Sequence, residues 1–409
     1  MKSMCLACKG RNWCGVSRCP ILDSMQAKIK LKNTIKKPEL FGSSPPATFT
    51  GRFGYPNVNV GILLPSERGD TKLMDSPKYW HKERLDIGKV LEFRASLINS
   101  RQKNIVDASR PGRFLEIVQE VALSSKPVDT EVILKKIPKF SMNFNFNVSP
   151  FGPSGDVKKA SLAENPSVDK RVDYITSDVD FKATKAMVDL YEHGQDVYDL
   201  SRLLSVGILG LKKQRKLVPT RWSITAADST IADHLLEEVK DYPRINDYLL
   251  FESNYIGNYF EVLLMPYAWM FEQVEMALPG GIWSQGLKEP NVISDHEFYW
   301  RRKKYAKNVA GAYYSGKLAV LEYLSKIKRQ AAVLIVREIR PEYFSEVGVW
   351  KVREAIREAM SKKPLKFDSL KYALKRINIM MKIHSDVWGK KSKILDNLKR
   401  QKRIGDFFN

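Results

Sequence analysis

The sequence predicts an α+β chain, a mixed core flanked by a small N-terminal four-cysteine metal module and a basic helical C-terminal segment that ends in a flexible tail. Three observations lead there. Every cysteine, Cys5, Cys8, Cys14 and Cys19, falls at the N-terminal end. The central residues mix β-branched or aromatic runs with helically spaced apolar residues and show no repeating βαβ order. Past Pro364 the texture changes to a narrow apolar stripe among lysines. The boundaries that follow are a zinc-finger-like module over 1–30, a linker over 31–50, an α+β core over 51–363, a basic helical segment over 364–400 and a terminal peptide over 401–409.

Each element has its own reason. Gly42-Ser43-Ser44-Pro45-Pro46 reads as linker, because Ser and Pro runs favour extended, solvated backbone. Strands are expected at 58–64, 143–148, 217–225, 259–267 and 331–337, with a turn at 254–258 where Asn and Gly cluster. Helices are expected at 113–123, 182–204, 230–239, 313–327 and 346–360, the last with Val349, Val352, Ile356, Ala359 and Met360 at helical spacing. Leu370, Leu374, Ile377, Met381 and His384 step by four and three, which predicts a helix docked on the core with His384 inside and lysines outside.

Charge and composition narrow the function. The net charge is +22, and the ends carry most of it. Residues 1–40 hold nine Lys/Arg against two acids, and residues 362–409 hold fourteen against four. Basic ends on a near-neutral body suit a polyanion, since each neutralised phosphate releases counterions; a lysine-rich solvated surface is the alternative. No apolar run reaches the ~18–20 residues of a membrane span, and the first residues lack a secretory signal. A cytoplasmic, chromosome-associated protein is expected, without a membrane partner.

The motifs carry the chemistry. The C-x2-C-x5-C-x4-C spacing of Cys5, Cys8, Cys14 and Cys19 places four soft thiolates within reach of one ion, which suits closed, structural Zn2+, with an iron–sulfur cluster as the alternative. Lys9, Arg11 and Trp13 sit between those ligands and suit phosphate and base contact. The chain ends QKRIGDFFN, where Gln401, Ile404, Phe407 and Phe408 fit the Q-x-x-aliphatic-x-x-aromatic-aromatic pattern of a peptide that binds the sliding clamp PCNA. On one helical turn Ile404, Phe407 and Phe408 form a single apolar plug, which needs either a partner surface or the chain's own core. In the core, Arg52, Tyr55 and Asn57 of GRFGYPN, and Arg221, Ser223 and Thr225 of an alternating PTRWSIT strand, are candidate ligand or nucleic-acid contacts.

Other chemistry is thin. Gly311–Lys317 matches G-x4-G-K, but Leu318 stands where magnesium needs a hydroxyl, so ATPase activity is set aside. The five histidines are scattered and no HExxH or G-x-S-x-G is present. Asp178 with Asp180, and Asp295-His296-Glu297, are the remaining acid candidates.

The two ends, with GRFGYPNVNVGIL, PTRWSITAADSTIAD, YIGNYFEVLLMP and REIRPEYFSEVGVWKVREA, resemble the archaeal Nre family of DNA repair proteins. The resemblance implies a repair role, a cysteine cluster and a clamp-binding tail. It implies no reaction. The expectation is therefore a repair factor recruited to PCNA that binds DNA or repair partners; the alternatives are a nucleic-acid-processing enzyme (nuclease, glycosylase or nucleotide-dependent transferase) and a non-catalytic clamp adaptor.

Overall fold

The computed structural model describes residues 35–138, 152–284 and 287–400, with positions 8, 11, 13, 19 and 22 beside them. The class is mixed α+β, with two six-stranded sheets. Past residue 18 the chain divides into two compact units between Ile231 and Ala232, a point inside the stretch expected to form one core. The expected strand at 143–148 lies outside the described residues.

The first unit is built on the sheet order β1-β5-β6-β4-β3-β2, with strands at Glu39–Ser44 (β1), Thr48–Thr50 (β2), Asn57–Leu64 (β3), Ile98–Ile105 (β4), Val128–Leu134 (β5) and Ser154–Leu162 (β6). Only β4 and β6 run parallel. Val58, Val60 and Ile62 alternate into the core on β3 and are fully buried, as the period of two predicts. The expected linker is overturned here, because Gly42-Ser43-Ser44 is strand, paired with β5. Serines satisfy a ladder as readily as water does, and the glycine has a steric role. A Cβ on Gly42 would lie 2.2 Å from the Pro65 carbonyl oxygen.

Helices Pro77–Lys82 (α1), Ile87–Ser96 (α2), Arg113–Leu123 (α3), Lys170–Ser177 (α4), Ala183–Glu192 (α5) and Val197–Ser205 (α6) complete this unit with the first part of Thr220–Val239 (α7). α3 falls where expected and buries Leu115, Val118, Val121 and Ala122 on one face. The single helix expected over 182–204 is instead two. Gly194 at φ +91° breaks it, and Asp196 caps the second by accepting from Tyr198 N at 3.2 Å. Residues 217–225 are not a strand. α7 begins at Thr220, and the Pro219 carbonyl accepts from the amides of Trp222 and Ser223 at 2.7 and 3.0 Å. A five-residue alternation is compatible with either period, and the following Ala226-Ala227 favours the helix.

The second unit's sheet runs β10-β9-β11-β8-β7-β12, from Tyr248–Tyr255 (β7), Asn258–Met265 (β8), Met270–Ala277 (β9), Asn291–Glu297 (β10), Ala332–Ile339 (β11) and Leu365–Phe367 (β12). The turn expected at 254–258 joins β7 to β8. Ile256 and Gly257 both take positive φ, as a two-residue hairpin requires. A Cβ on Gly257 would also stand 2.5 Å from the Tyr343 amide nitrogen. Helices Gly311–Ile327 (α8) and Trp350–Ser361 (α9) pack together, and Leu370–Met380 (α10), Ser385–Trp388 (α11) and Lys393–Arg400 (α12) follow.

The basic C-terminal segment docks as its stripe predicts. Ala373, Ile377, Met381, Trp388, Ile394 and Leu395 join Leu250, Leu263, Val274, Leu334 and Val336 of the sheet in one apolar cluster. Two carboxylates lock it. Glu252 on β7 holds Arg376 at 2.8 and 3.1 Å, and Glu272 on β9 accepts from Ser392 Oγ and the amides of Lys393 and Ile394, capping α12. His384 departs from expectation. α10 stops at Met380, and His384 is an exposed cap whose Nδ1 accepts from the Asp386 amide, because the chain turns before the stripe reaches it. Among the described residues no helix is long and apolar enough to cross a membrane.

Glu261 on β8 faces Glu252 across the ladder, and its Oε2 is buried with no hydrogen-bond partner among the described residues. Burial and the Glu252 charge push its carboxyl up to about 9, against the pull of Arg376. The folded chain then keeps a proton that the unfolded chain releases above its ordinary 4.5, so stability falls by about 1.4 kcal/mol for each pH unit between 4.5 and 9. Glu261→Gln, neutral in both states, removes that slope. Its melting temperature should match the parent near pH 4 and exceed it by on the order of 10 °C at pH 8; an equal offset at both pH values refutes the assignment.

Candidate nucleic-acid interface

In the first unit, two segments far apart in sequence are tied at one corner. Between β2 and β3 the chain makes a tight turn, closed by Gly51 N to Asn59 O at 2.7 Å and Asn57 N to Gly54 O at 2.8 Å. Its carbonyl at Pro56 accepts from Val106 N at 2.9 Å, and the Val106 carbonyl accepts in turn from Leu217 N at 2.7 Å. On the other side of the turn, Thr50 N donates to Thr220 Oγ1 at 2.9 Å, and Thr50 Oγ1 donates to the Ser205 carbonyl. Thr50 and Ser205 are buried. The turn and the start of α7 are thereby held by two backbone bonds through Val106 and by the hydroxyls of Thr50 and Thr220.

What they display is aromatic and cationic. Phe53 is 73% exposed, Tyr55 55% and Trp222 50%. The Arg52 guanidinium lies 4.9 Å from the Phe53 ring centroid, and Arg221 is exposed beside Trp222. Along the adjoining ladder Asn57 pairs with Ile105 and Asn59 with Lys103, so opposite residues share the outer face. Cations neutralise phosphates and exposed rings stack on bases. No nucleophile paired with a base appears among these residues.

Of the contacts expected from the sequence, Tyr55, Asn57 and Arg221 are exposed and Arg52 is half-buried, and the structure brings their segments together. Ser223 is turned inward, and Thr225 stays half-buried one helical turn on from Arg221. On a helix successive side chains turn by 100°, so Ser223 is fully buried and donates to the Thr220 carbonyl, while Thr225 Oγ1 donates to the Arg221 carbonyl. Trp222, which alternation along a strand would set on the face opposite Ser223, is exposed in its place. Arg11 stacks on the exposed Trp13 at 5.0 Å. Cys8 and Cys19 are buried, while Lys9, Cys5, Cys14 and the peptide residues Gln401, Ile404, Phe407 and Phe408 lie outside the described residues. Among the described residues no group of three or more His, Cys, Asp or Glu is placed to hold a metal.

The remaining acid candidates serve structure. Asp178 Oδ1 accepts from the Asp180 amide, closing a local turn. Asp295 accepts from the amides of Asn308 and Val309 at 2.8 and 2.9 Å, and Glu297 pairs with Lys317 at 2.8 Å. Lys317 of the G-x4-G-K run sits buried inside α8, with no loop to cradle a phosphate.

The second unit holds a polar cluster that the sequence reading did not find. Arg337 of β11 is buried, bonded to Glu275 at 2.7 Å and to Asn258 Oδ1 at 2.6 and 2.9 Å. Beyond it, Lys351 of α9 contacts Tyr343 OH and pairs with Glu346 at 2.7 Å, and the Trp283 ring stacks on Tyr343 at 4.7 Å. Burial pushes the Lys351 amine down to about 8, against the pull of Glu346. For Glu346 burial acts upward, but Lys351 and Arg337 outweigh it and hold the carboxyl down at about 2. Lys351 is sealed from solvent, so the arrangement braces β11 against α9 and offers no open nucleophile.

Comparison with known proteins places these features in a family. The model of the archaeal Nre N-terminal region matches residues 13–284, and that of the archaeal Nre C-terminal region matches 297–407. The chain is 36% identical over 403 residues to a protein named DNA repair protein NreB from Archaeoglobus fulgidus, covering 98% of this chain and 99% of that one. It is 39% identical over 373 residues to DNA repair protein NreA of the same organism, covering 90% and 92%. It is 38% identical over 348 residues to DNA repair protein NreA of Haloferax volcanii, covering 83% and 82%. No solved structure matches.

Proposed function

The chain belongs to the archaeal Nre family, and from that premise we propose that it is a DNA repair factor recruited to the sliding clamp PCNA through its last nine residues. The repair role is supported by the names of three relatives that match most of the chain. Clamp recruitment is supported by the Gln401, Ile404, Phe407, Phe408 pattern. Tethering raises local concentration at the fork without any new contact in the core. The observation that carries DNA contact is the corner where the Thr50–Thr220 bond sets Arg52, Phe53 and Tyr55 in one frame with Arg221 and Trp222. Four clustered thiolates, Cys5, Cys8, Cys14 and Cys19, form a donor set that fits tetrahedral Zn2+ and would supply folding free energy to a segment too short for a core.

Three outcomes test the parts separately. Phe407→Ala with Phe408→Ala should abolish capture by PCNA and leave the melting temperature unchanged; a lowered melting temperature with capture intact means the rings pack on this chain instead. Elemental analysis should find about one zinc per chain, whereas iron with visible absorbance assigns a cluster. Arg52→Gln with Arg221→Gln should weaken binding of duplex DNA about tenfold and flatten the slope of log affinity against log salt by about 1.8. An unaltered slope removes the corner from the interface.

A further inference from the structure

The sequence FYWRRKKY, residues 298–305, leaves β10 and reaches α8 through a loop that interleaves rings with cations. The loop is braced from within. Asp295 fixes the amides of Asn308 and Val309 and holds Arg302 at 3.1 Å, and Glu297 accepts from the Arg302 amide. Arg302 in turn donates to the carbonyls of His296, Lys304 and Tyr305 at 3.3, 2.7 and 3.3 Å. One arginine thus staples the loop shut.

The stapled loop turns its other groups outward. Trp300 is 79% exposed, the most exposed large hydrophobic side chain among the described residues. Tyr299 meets it edge to face at 5.3 Å, and Lys240, near the end of α7, sits 4.6 and 5.4 Å from the two ring centroids. Arg301, Lys303 and Lys304 are exposed beside them. The hydrogen bonds and ion pairs that hold the loop engage Arg302 and, through Asp233, Arg301, and the two lysines that follow face solvent.

We propose that this loop is a stacking platform for single-stranded nucleic acid, Trp300 and Tyr299 taking unpaired bases and Lys240, Arg301, Lys303 and Lys304 taking the backbone. Three features select that occupant. A flat ring offered edge and face to solvent has its partner in another flat π-system, and bases in a duplex keep their faces covered. The exposed charged side chains of the loop, Arg301, Lys303 and Lys304, are all cationic, and Asp233 beside them is matched by Arg301 and Lys317, a balance that complements phosphate. The run 298–305 is a short loop between β10 and α8, without the amphipathic helix that lies in a bilayer surface. The platform lies in the second unit and shares no residue with the corner in the first.

The test is fluorescence anisotropy with labelled twenty-base oligo(dT), oligo(U) and a duplex of equal length, with anionic phosphatidylserine vesicles as a fourth arm. Trp300→Ala should weaken oligo(dT) binding about tenfold while changing duplex binding less than about twofold, and Trp300→Phe should restore most of the loss. Lys303→Gln with Lys304→Gln should lower the single-strand salt slope by about 1.4. Tighter binding of oligo(U), lost in the same variants, identifies RNA as the source of the strand. Unchanged single-strand affinity in Trp300→Ala overturns the proposal, as does an equal loss for duplex, or a loss confined to vesicles. Arg52→Gln with Arg221→Gln, carried alongside, should retain the discrimination at Trp300, which separates failure of the corner from failure of the platform.

Discussion

A guanidinium in the middle of a sheet is the constraint around which the second unit is arranged. β11 lies between β9 and β8, and every residue of it is buried, Arg337 included. A charge removed from water must be paired and fully hydrogen-bonded, and breaking one partner of such a pair costs about 3–5 kcal/mol. Glu275 from one neighbouring strand and Asn258 from the other meet that demand. Because facing side chains alternate, sliding β11 by one residue would turn Arg337 to the opposite face and orphan all three groups. The pairing fixes register as well as neutralising charge. From there the polar chain continues through Tyr343 and Lys351 into α9, so the helix inherits its position from the strand.

A second carboxylate acts similarly on the opposite face of the same strand. Glu338 is fully buried on β11, bonded to Arg340 at 2.7 Å and to the Ile383 amide at 2.9 Å. With Glu272 capping α12 and Glu252 gripping Arg376, three sheet acids reach into the C-terminal segment. The apolar stripe supplies adhesion without direction. The acids supply direction.

How much of this the sequence disclosed depended on whether the signal was periodic or positional. Long runs read correctly: α3 and the docked stripe of α10 follow from spacing, and the β8 and β11 strands from their β-branched and aromatic residues. Short runs did not. At 217–225 five residues of alternation fitted either period, and the helix won through what followed it. At 42–44 composition suggested solvent, whereas a close carbonyl demanded the glycine. Of the interface, the separate segments around Arg52 and Arg221 were visible, but their meeting depends on Thr50, Ser205 and Val106, whose types announce nothing. The ring and lysine run at 298–305 was plain in the letters, yet only Arg302 turning inward distinguishes a built loop from a tangle of charge. Buried Lys351 and Arg337, with half-buried Glu346, look like surface residues in any one-dimensional reading.

The cap that Glu272 places on α12 decides where a load on the C-terminal segment is carried. α12 is a post pinned to the sheet at its base by the amides of Lys393 and Ile394. Tension applied at Arg400 passes through the Glu272 carboxylate into β9, a strand flanked by β10 on one side and β11 on the other, so pulling on the post loads the interior of the sheet and not its edge.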